Sequence, residues 1–257
     1  MHSHETLIAA LTPVVRDAGA RIMEIYAQPP QADQKGDGSP VTAADVAAEA
    51  VILTALARIA PDIPIVSEEN ADSHGLDAPE RFFLVDPLDG TKEFLKRDGK
   101  GSFTVNIALI EGGVPVMGIV YAPALNQLFC GAVGVGATED RGTGARPITT
   151  RTASGAGRIA VASASHRDAE TDAWLAAEGI TNTVSIGSSL KFCFVAAGEA
   201  DVYPRFGTTM EWDTAAGDAV LRAAGGSVQN PDGTPFVYAK PRYRNGAFVA
   251  RGGPMPA

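Results

Sequence analysis

Basic residues are scarce in this chain: 21 Lys and Arg stand against 30 Asp and Glu, a formal net charge of −9. A general binder of nucleic acid or of an anionic membrane surface would carry a basic footprint, so the balance argues against both classes. An acidic protein still accepts an anionic substrate when cations and a few local Lys or Arg invert the sign at one site. Cysteine is nearly absent: Cys130 and Cys193 form no metal-ligand spacing, and each reads as small apolar filler kept reduced in a cytosolic setting. The four histidines, His2, His4, His74 and His166, form no metal or triad pattern. No apolar run approaches the length of a membrane span. The start lacks a basic n-region, and Arg16, Asp17 and Arg21 interrupt the apolar residues that follow, so a soluble intracellular protein is expected. No GxxxxGK[ST] occurs. Gly131, Gly134 and Gly136 run in the wrong order for a dinucleotide fingerprint and read as hairpin and bulge positions.

What is present is an ordinary globular composition. With 257 residues, 45% apolar and 20% charged, the chain can bury one large core or two small ones. Leu7, Ile8, Leu11, Val14, Val15, Ala18, Ile22 and Ile25 keep a 3.6-residue rhythm and predict an amphipathic first helix. A Pro/Gly loop over residues 28–40 carries Lys35-Gly36-Asp37-Gly38. A second helix is predicted from near Thr42 to about Ile59, with Asp45 in its first turn, either as a partner of the helix dipole or for chemistry. Ile63 to Val66 reads as a strand, with Glu68 and Glu69 at its end. Residues 103–110, 114–121 and 127–133 read as an antiparallel meander turned first at Gly112-Gly113. A composition change over residues 142–157 marks a boundary, beyond which strands and helices alternate: 159–162 extended, 168–178 helical, 188–197 helical, 201–203 extended, 213–224 helical.

The stretch that organises the rest is Asp86-Pro87-Leu88-Asp89-Gly90-Thr91-Lys92-Glu93-Phe94, directly after the apolar run Phe82 to Val85. Pro87 pushes Asp86 towards an extended conformation, so Asp86 is predicted to end the strand and point out of its tip. Asp89-Gly90 is a turn dipeptide, and Thr91 is placed to cap a short helical turn. Two carboxylates and the Leu88 carbonyl then converge beside backbone N–H groups, a donor set that suits Mg²⁺ and phosphate. Taken alone, Asp-x-x-Asp-Gly is a solvated turn. Here Asp45, Glu68 and Asp213, the last at the start of Glu211-Trp212-Asp213-Thr214-Ala215-Ala216-Gly217, also sit at the ends of predicted elements. If these acids meet, their repulsion requires cations.

These motifs, with Ser39-Pro40-Val41-Thr42 before Asp45, resemble the lithium-sensitive, magnesium-dependent phosphatase superfamily of inositol monophosphatase and fructose-1,6-bisphosphatase, over nearly the whole chain. Thr91-Lys92-Glu93-Phe94, the run from Gly187 to Cys193 and Tyr203-Pro204-Arg205-Phe206-Gly207 are most similar to its bacterial CysQ branch, the 3′(2′),5′-bisphosphate nucleotidases. The resemblance implies an α+β fold, a layered α-β-α-β-α sandwich. It divides into an N-terminal α+β metal-binding subdomain (1–145) and a C-terminal α/β substrate subdomain (146–257) of one continuous family domain. It also implies two core Mg²⁺ sites, one held by Glu68, Asp86 and the Leu88 carbonyl, the other by Asp86, Asp89 and Asp213, with a third, weaker metal supported by Asp45. Glu68 and Thr91 orient the attacking water in this scheme, and Asp45 assists Thr91. The N–H groups of Gly90 and Thr91 receive the scissile phosphate, and Leu88, Asp89 and Asp213 border the substrate.

Lys191 and Arg205 are candidates for a second phosphate, Lys as a point charge and Arg as a bidentate fork, with Ser188 and Ser189 beside them and ordinary surface charge as the alternative. His166 lines the pocket or is a plain surface histidine. The reaction implied is removal of the 3′-phosphate of adenosine 3′,5′-bisphosphate, with a role in sulfur assimilation. The partner is a small phosphorylated nucleotide and no nucleic-acid polymer, in a cytoplasmic enzyme for which a homodimer and peripheral contact with the inner membrane stay open. The competing readings are an inositol-phosphate or sugar-phosphate phosphatase, and a catalytically silent metal- or nucleotide-binding regulator. A divalent-ion buffer is disfavoured because the ligands are scattered along the chain.

Overall fold

A computed structural model describes residues 3–34, 40–75, 78–151, 157–163 and 168–253. The expected features Lys35 to Gly38, Ser39 and His166 lie outside these residues. Helix α1 (His4–Tyr26) and helix α2 (Ala43–Ile59) are joined through a ribbon of β1 (Asp33–Gln34) and β2 (Pro40–Val41). A seven-stranded sheet follows in chain order: β3 (Ile65–Ser67), β4 (Arg81–Asp89), β5 (Thr104–Glu111), β6 (Val114–Ala122), β7 (Gln127–Ala132), β8 (Gly136–Asp140) and β9 (Ala145–Ile148). Helix α3 (Thr91–Lys96) lies between β4 and β5. The second half holds β10 (Ile159–Ser163), α4 (Ala169–Ala177), β11 (Asn182–Ile186), α5 (Leu190–Ala196), β12 (Val202–Arg205), β13 (Thr209–Met210), α6 (Ala215–Ala223), β14 (Ser227–Gln229), β15 (Arg244–Asn245) and β16 (Phe248–Arg251). Its main sheet has the order β11-β10-β12-β16-β14, and β13 pairs with β15 apart from it.

Alternation along β4 sorts its side chains to two cores. Phe83 and Val85 face α1 and α2, packing with Leu11, Val15, Ile52 and Leu56. Phe82 and Leu84 face the opposite way and join Phe192, Val195, Val220 and Leu221 of α5 and α6. Those two helices are in turn covered by the five-stranded sheet, whose far face packs Val202 and Val249 on Leu175 of α4. The order helices, sheet, helices, sheet, helix is the five-layered α+β sandwich. The middle layer sits close because glycines admit it: a Cβ on Gly118 would lie 2.2 Å from the Ala216 carbonyl oxygen, and one on Gly131 2.7 Å from Val220 Cα. Gly131 is therefore a close-approach position inside β7 rather than a hairpin or bulge residue, whereas Gly134 and Gly136 do take positive φ (81° and 116°) in the turn.

Several boundaries shift for local reasons. The third strand begins two residues later than its apolar run, after Pro64, which has no N–H for the ladder. The strand holding Phe82 does not end at Asp86. It continues to Asp89 through an irregularity between Asp86 and Asp89, at the donor-less Pro87, and Asp86 is itself buried. Strands β8, β9 and β11 and the β13–β15 pair have no counterpart in the sequence reading. Their segments are short or polar, and β11 is exposed over four of its five residues.

Candidate active site

Strands β3 and β4 run parallel, with Ser67 opposite Val85, so both end at the same edge of the sheet. That register brings Glu68, one residue past β3, beside Asp86, and the Glu68 N–H donates to the Val85 carbonyl (3.1 Å). Asp213 arrives from the other half of the chain, two residues ahead of α6 rather than at the helix N-terminus expected from the sequence, where Thr214 is the cap. Its Oδ2 accepts from the Met210 N–H (2.7 Å), and its carbonyl accepts from the Ser189 hydroxyl (2.7 Å). The result is a cluster in which Glu68, Asp86 and Asp213 each offer an oxygen within 4.8 Å of the others.

Burial lifts the pKa of Asp86 and of Asp213 well above the carboxylate range, and the neighbouring carboxylates, Glu68 and Asp89 among them, lift both further. Asp89 is also raised by burial, while Lys191 pulls it back down. Asp86 Oδ1 accepts from the Leu88 N–H (3.0 Å), but its buried Oδ2 has no hydrogen-bond partner. An orphaned buried carboxylate oxygen among oxygen-only donors fits a hard divalent cation. Asp89 lies outside the 4.8 Å group yet within its field, since its charge raises the pKa of Asp86.

Asp45 occupies the third position of α2 and closes a capping box with Thr42: its Oδ2 accepts from the Thr42 N–H (2.8 Å) and hydroxyl (2.7 Å). Its other oxygen, Oδ1, accepts from the Thr91 hydroxyl at 3.4 Å, so one carboxylate serves both the helix and the site. Burial raises its pKa to about 6. Thr91 does not cap α3. The cap is Gly90 at φ 90°, and Thr91 begins the helix with its hydroxyl turned to Asp45 and to the Leu88 carbonyl (3.3 Å). A left-handed φ there favours glycine, and a Cβ on Gly90 would also lie a tight 3.0 Å from the Ser102 carbonyl oxygen.

Beside the cluster opens a cavity of about 290 Å³ lined by Glu68, Asp89, Gly90, Thr91, Ser188, Lys191, Arg205 and Asp213. Lys191 and Arg205 are only 5% and 8% exposed, which removes the reading as ordinary surface charges. Burial pushes the Lys191 ammonium down to about 8, against the pull of Asp89. Its Nζ donates to the Ser188 carbonyl (2.6 Å) and sits 5.2 Å over the Tyr203 ring. Arg205 is oriented by the carbonyls of Gly207 (3.1 Å) and Thr208 (3.4 Å). Ser188 holds a φ of 52° and a buried hydroxyl without a partner, whereas the Ser189 hydroxyl is occupied between Asn106 Nδ2 (3.0 Å) and Asp213. Ser188 therefore faces the cavity, and Ser189 supports the Asp213 peptide.

The cavity also draws on Lys92, Glu93, Ser163, Tyr203, Thr208 and Thr214, which the sequence reading did not assign to the site. Tyr203 was detectable as the residue two before Arg205 on one extended segment, hence on the same face. Ser163 ends β10, and a strand terminus is a usual place for a ligand contact. Lys92, Glu93 and Thr214 stand inside motifs quoted from the sequence, without a role given to their side chains, and Thr208 carries no such signal.

An acidic cluster fit for divalent cations, set against a cavity walled by buried Lys and Arg, defines a metal-assisted site for an anionic substrate. A profile of the inositol monophosphatase family matches residues 3–252, and the chain belongs to that family. The 3′(2′),5′-bisphosphate nucleotidase CysQ of Escherichia coli O157:H7 is 49% identical over 88% of this chain and 91% of its own length. Its namesake from Salmonella typhimurium is 47% identical over 90% and 94%. Among solved structures, CysQ from Bacteroides thetaiotaomicron superposes with a TM-score of 0.80 at 39% identity, covering 95% of this chain and 96% of that one. An inositol monophosphatase from Anabaena superposes with a TM-score of 0.76 at 30% identity, covering 97% and 91%. Among the described residues no helix is long and apolar enough to cross a membrane.

Proposed function

We propose that this chain is an Mg²⁺-dependent 3′(2′),5′-bisphosphate nucleotidase that hydrolyses the 3′-phosphate of adenosine 3′,5′-bisphosphate to AMP and inorganic phosphate, recycling a product of sulfur assimilation. The observation that carries the reading is the carboxylate cluster, with Asp86 buried, beside a cavity that Lys191 and Arg205 also line. A monophosphate needs the first feature, and a bisphosphate uses both.

Two core Mg²⁺ sites are assigned, to Glu68, Asp86 and the Leu88 carbonyl and to Asp86, Asp89 and Asp213, with Asp45 supporting a third. Bound there, Mg²⁺ neutralises charge on the phosphoryl oxygens and acidifies water. The protein's own groups do the positioning that a loose phosphoryl-transfer transition state demands. With its proton turned to Asp45 and Leu88, the Thr91 hydroxyl offers its lone pair to a water and aims it at phosphorus. Glu68 lines the cavity and accepts from the same water. Asp45, with a pKa of about 6, is suited to hold or release a proton near neutrality. The backbone N–H groups of Gly90 and Thr91 border the scissile phosphate, and Lys191, Arg205 and Ser188 take the 5′-phosphate. A cytoplasmic setting and homodimeric assembly belong to the same reading, and fractionation and light scattering test them.

Phosphate release from adenosine 3′,5′-bisphosphate, inositol 1-phosphate and fructose 1,6-bisphosphate, with and without Mg²⁺, is the direct test. The nucleotide is expected to be turned over fastest and only with the metal. Equal or better turnover of inositol 1-phosphate sinks the substrate assignment, and no turnover of any of the three favours a silent regulator.

A further inference from the structure

We propose that His74 is a positioning residue that braces the two carboxylate-bearing loops against each other through its stack on Trp212, and so tunes the cluster's affinity for a divalent cation. The inference rests on the reading of that cluster as a metal centre. The imidazole lies on the indole of Trp212 with ring centroids 4.7 Å apart and planes 24° from parallel. Its Nε2 donates to the Ser67 carbonyl at 2.7 Å, which sets the tautomer with the proton on Nε2. The two rings thus tie the residue before Glu68 to the residue before Asp213, although Ser67 belongs to the seven-stranded sheet and Trp212 comes from the other half of the chain.

Each end of the brace is itself anchored. On the Glu68 side, the turn over residues 71–75 wraps Ser67: the Ser73 hydroxyl donates to the Asn70 carbonyl (2.6 Å) and accepts the Ser67 N–H (3.2 Å), while the Ser67 hydroxyl donates to Glu49 (2.5 Å). On the Asp213 side, Trp212 is 5% exposed and lies tilted against Tyr243 (6.3 Å). The Glu211 N–H donates to the Tyr243 carbonyl (2.7 Å), and its fully buried carboxylate accepts from the Ala239 and Lys240 N–H groups (2.9 Å each). Glu68 and Asp213 repel one another across this junction when no cation lies between them, so a rigid link behind them opposes their separation. Outer contacts of this kind hold metal ligands in the geometry the ion needs.

The test is calorimetric titration of Mn²⁺ into the substrate-free protein, alongside thermal unfolding in EDTA, for the parent, His74→Ala and His74→Phe. His74→Ala is expected to weaken Mn²⁺ binding roughly tenfold with little change in the unfolding temperature in EDTA. His74→Phe, which keeps a ring against Trp212 but loses the Ser67 bond, is expected to recover part of that loss. Unchanged Mn²⁺ affinity in His74→Ala overturns the brace, whatever the unfolding temperature does, as does an equal loss in both variants. A parent protein that binds no Mn²⁺ overturns the metal reading itself and the brace with it, so the two failures are distinguishable.

Discussion

Replacing Asp45 by Asn separates what this carboxylate costs the fold from what it contributes to the chemistry. Asp45 is 1% exposed, and burial lifts its pKa from the ordinary 3.8 to about 6 against the hydrogen bonds from Thr42, which lower it. The native state therefore holds this proton more tightly than the unfolded chain does. The stability it contributes is full below about pH 4 and is lost as pH rises through about 6. Roughly two pH units at ~1.4 kcal/mol apiece put the cost of ionising Asp45 in the metal-free protein at ~3 kcal/mol at pH 8. Asn retains an oxygen for the Thr42 N–H and hydroxyl, but its amide group must be seated in a buried site shaped for a carboxylate, at ~1 kcal/mol. The variant is then expected to gain ~2 kcal/mol at pH 8 in EDTA, a rise in Tm of roughly 4–8 °C for a chain of this size. Thermal unfolding at pH 5 and pH 8 reads the slope directly. It should be steep in the parent and shallower in Asp45→Asn, with the remainder due to the other buried carboxylates whose pKa is raised, Asp86, Asp89, Asp213 and Asp218. Turnover with Mg²⁺ should fall ~10²-fold or more, because the Thr91 hydroxyl loses its carboxylate acceptor and keeps only the Leu88 carbonyl. A variant less stable than the parent at pH 8 in EDTA, or one with an unchanged pH slope, refutes the reasoning.

Three further outcomes are expected. Asp89→Asn should abolish most turnover while leaving metal-free unfolding unchanged or shifted slightly upward, since one member of a repulsive set is removed; full activity would take Asp89 out of the metal centre. Lys191→Ala should lower kcat/KM on a bisphosphate nucleotide far more than on a monophosphate, and an equal loss on both would make the residue structural. Gly118→Ala should destabilise by ~1–3 kcal/mol or more, read by denaturant unfolding, because the added methyl would meet the Ala216 carbonyl oxygen at 2.2 Å.

Glu211 and its neighbours illustrate a layer of the site that no motif announces. Its carboxylate fastens a segment in which Ala239, Arg242 and Tyr243 all take positive φ (69°, 59° and 52°) to the peptide that carries Trp212 and Asp213. Non-glycine residues persist in such conformations only where surrounding contacts over-determine them. That network joins residues nearly thirty positions apart, and local patterning does not encode it.

Much of the framework, by contrast, was legible in the chain itself. The apolar rhythm from Leu7 to Ile25, the helix start near Thr42 with Asp45 in its first turn, the apolar run Phe82 to Val85 and the glycines at 112 and 113 are local codes, acting between residues close in sequence. They determine helices, strands and turns with little help from the rest of the molecule, and the spacing of Asp86, Leu88 and Asp89 marks the place where chemistry belongs. Only the tertiary structure decided that Asp86 points into the protein instead of out of a strand tip, that Gly90 and not Thr91 caps α3, and that Lys191 and Arg205 are buried in the cavity wall. It also decided that Glu68 and Asp213, 145 positions apart by their numbering, share one cluster. The reason is physical: burial and the convergence of like charges arise from packing between layers, where the parallel register of β3 on β4 and the close seat of α6 on Gly118 and Gly131 set distances that no stretch of sequence specifies by itself.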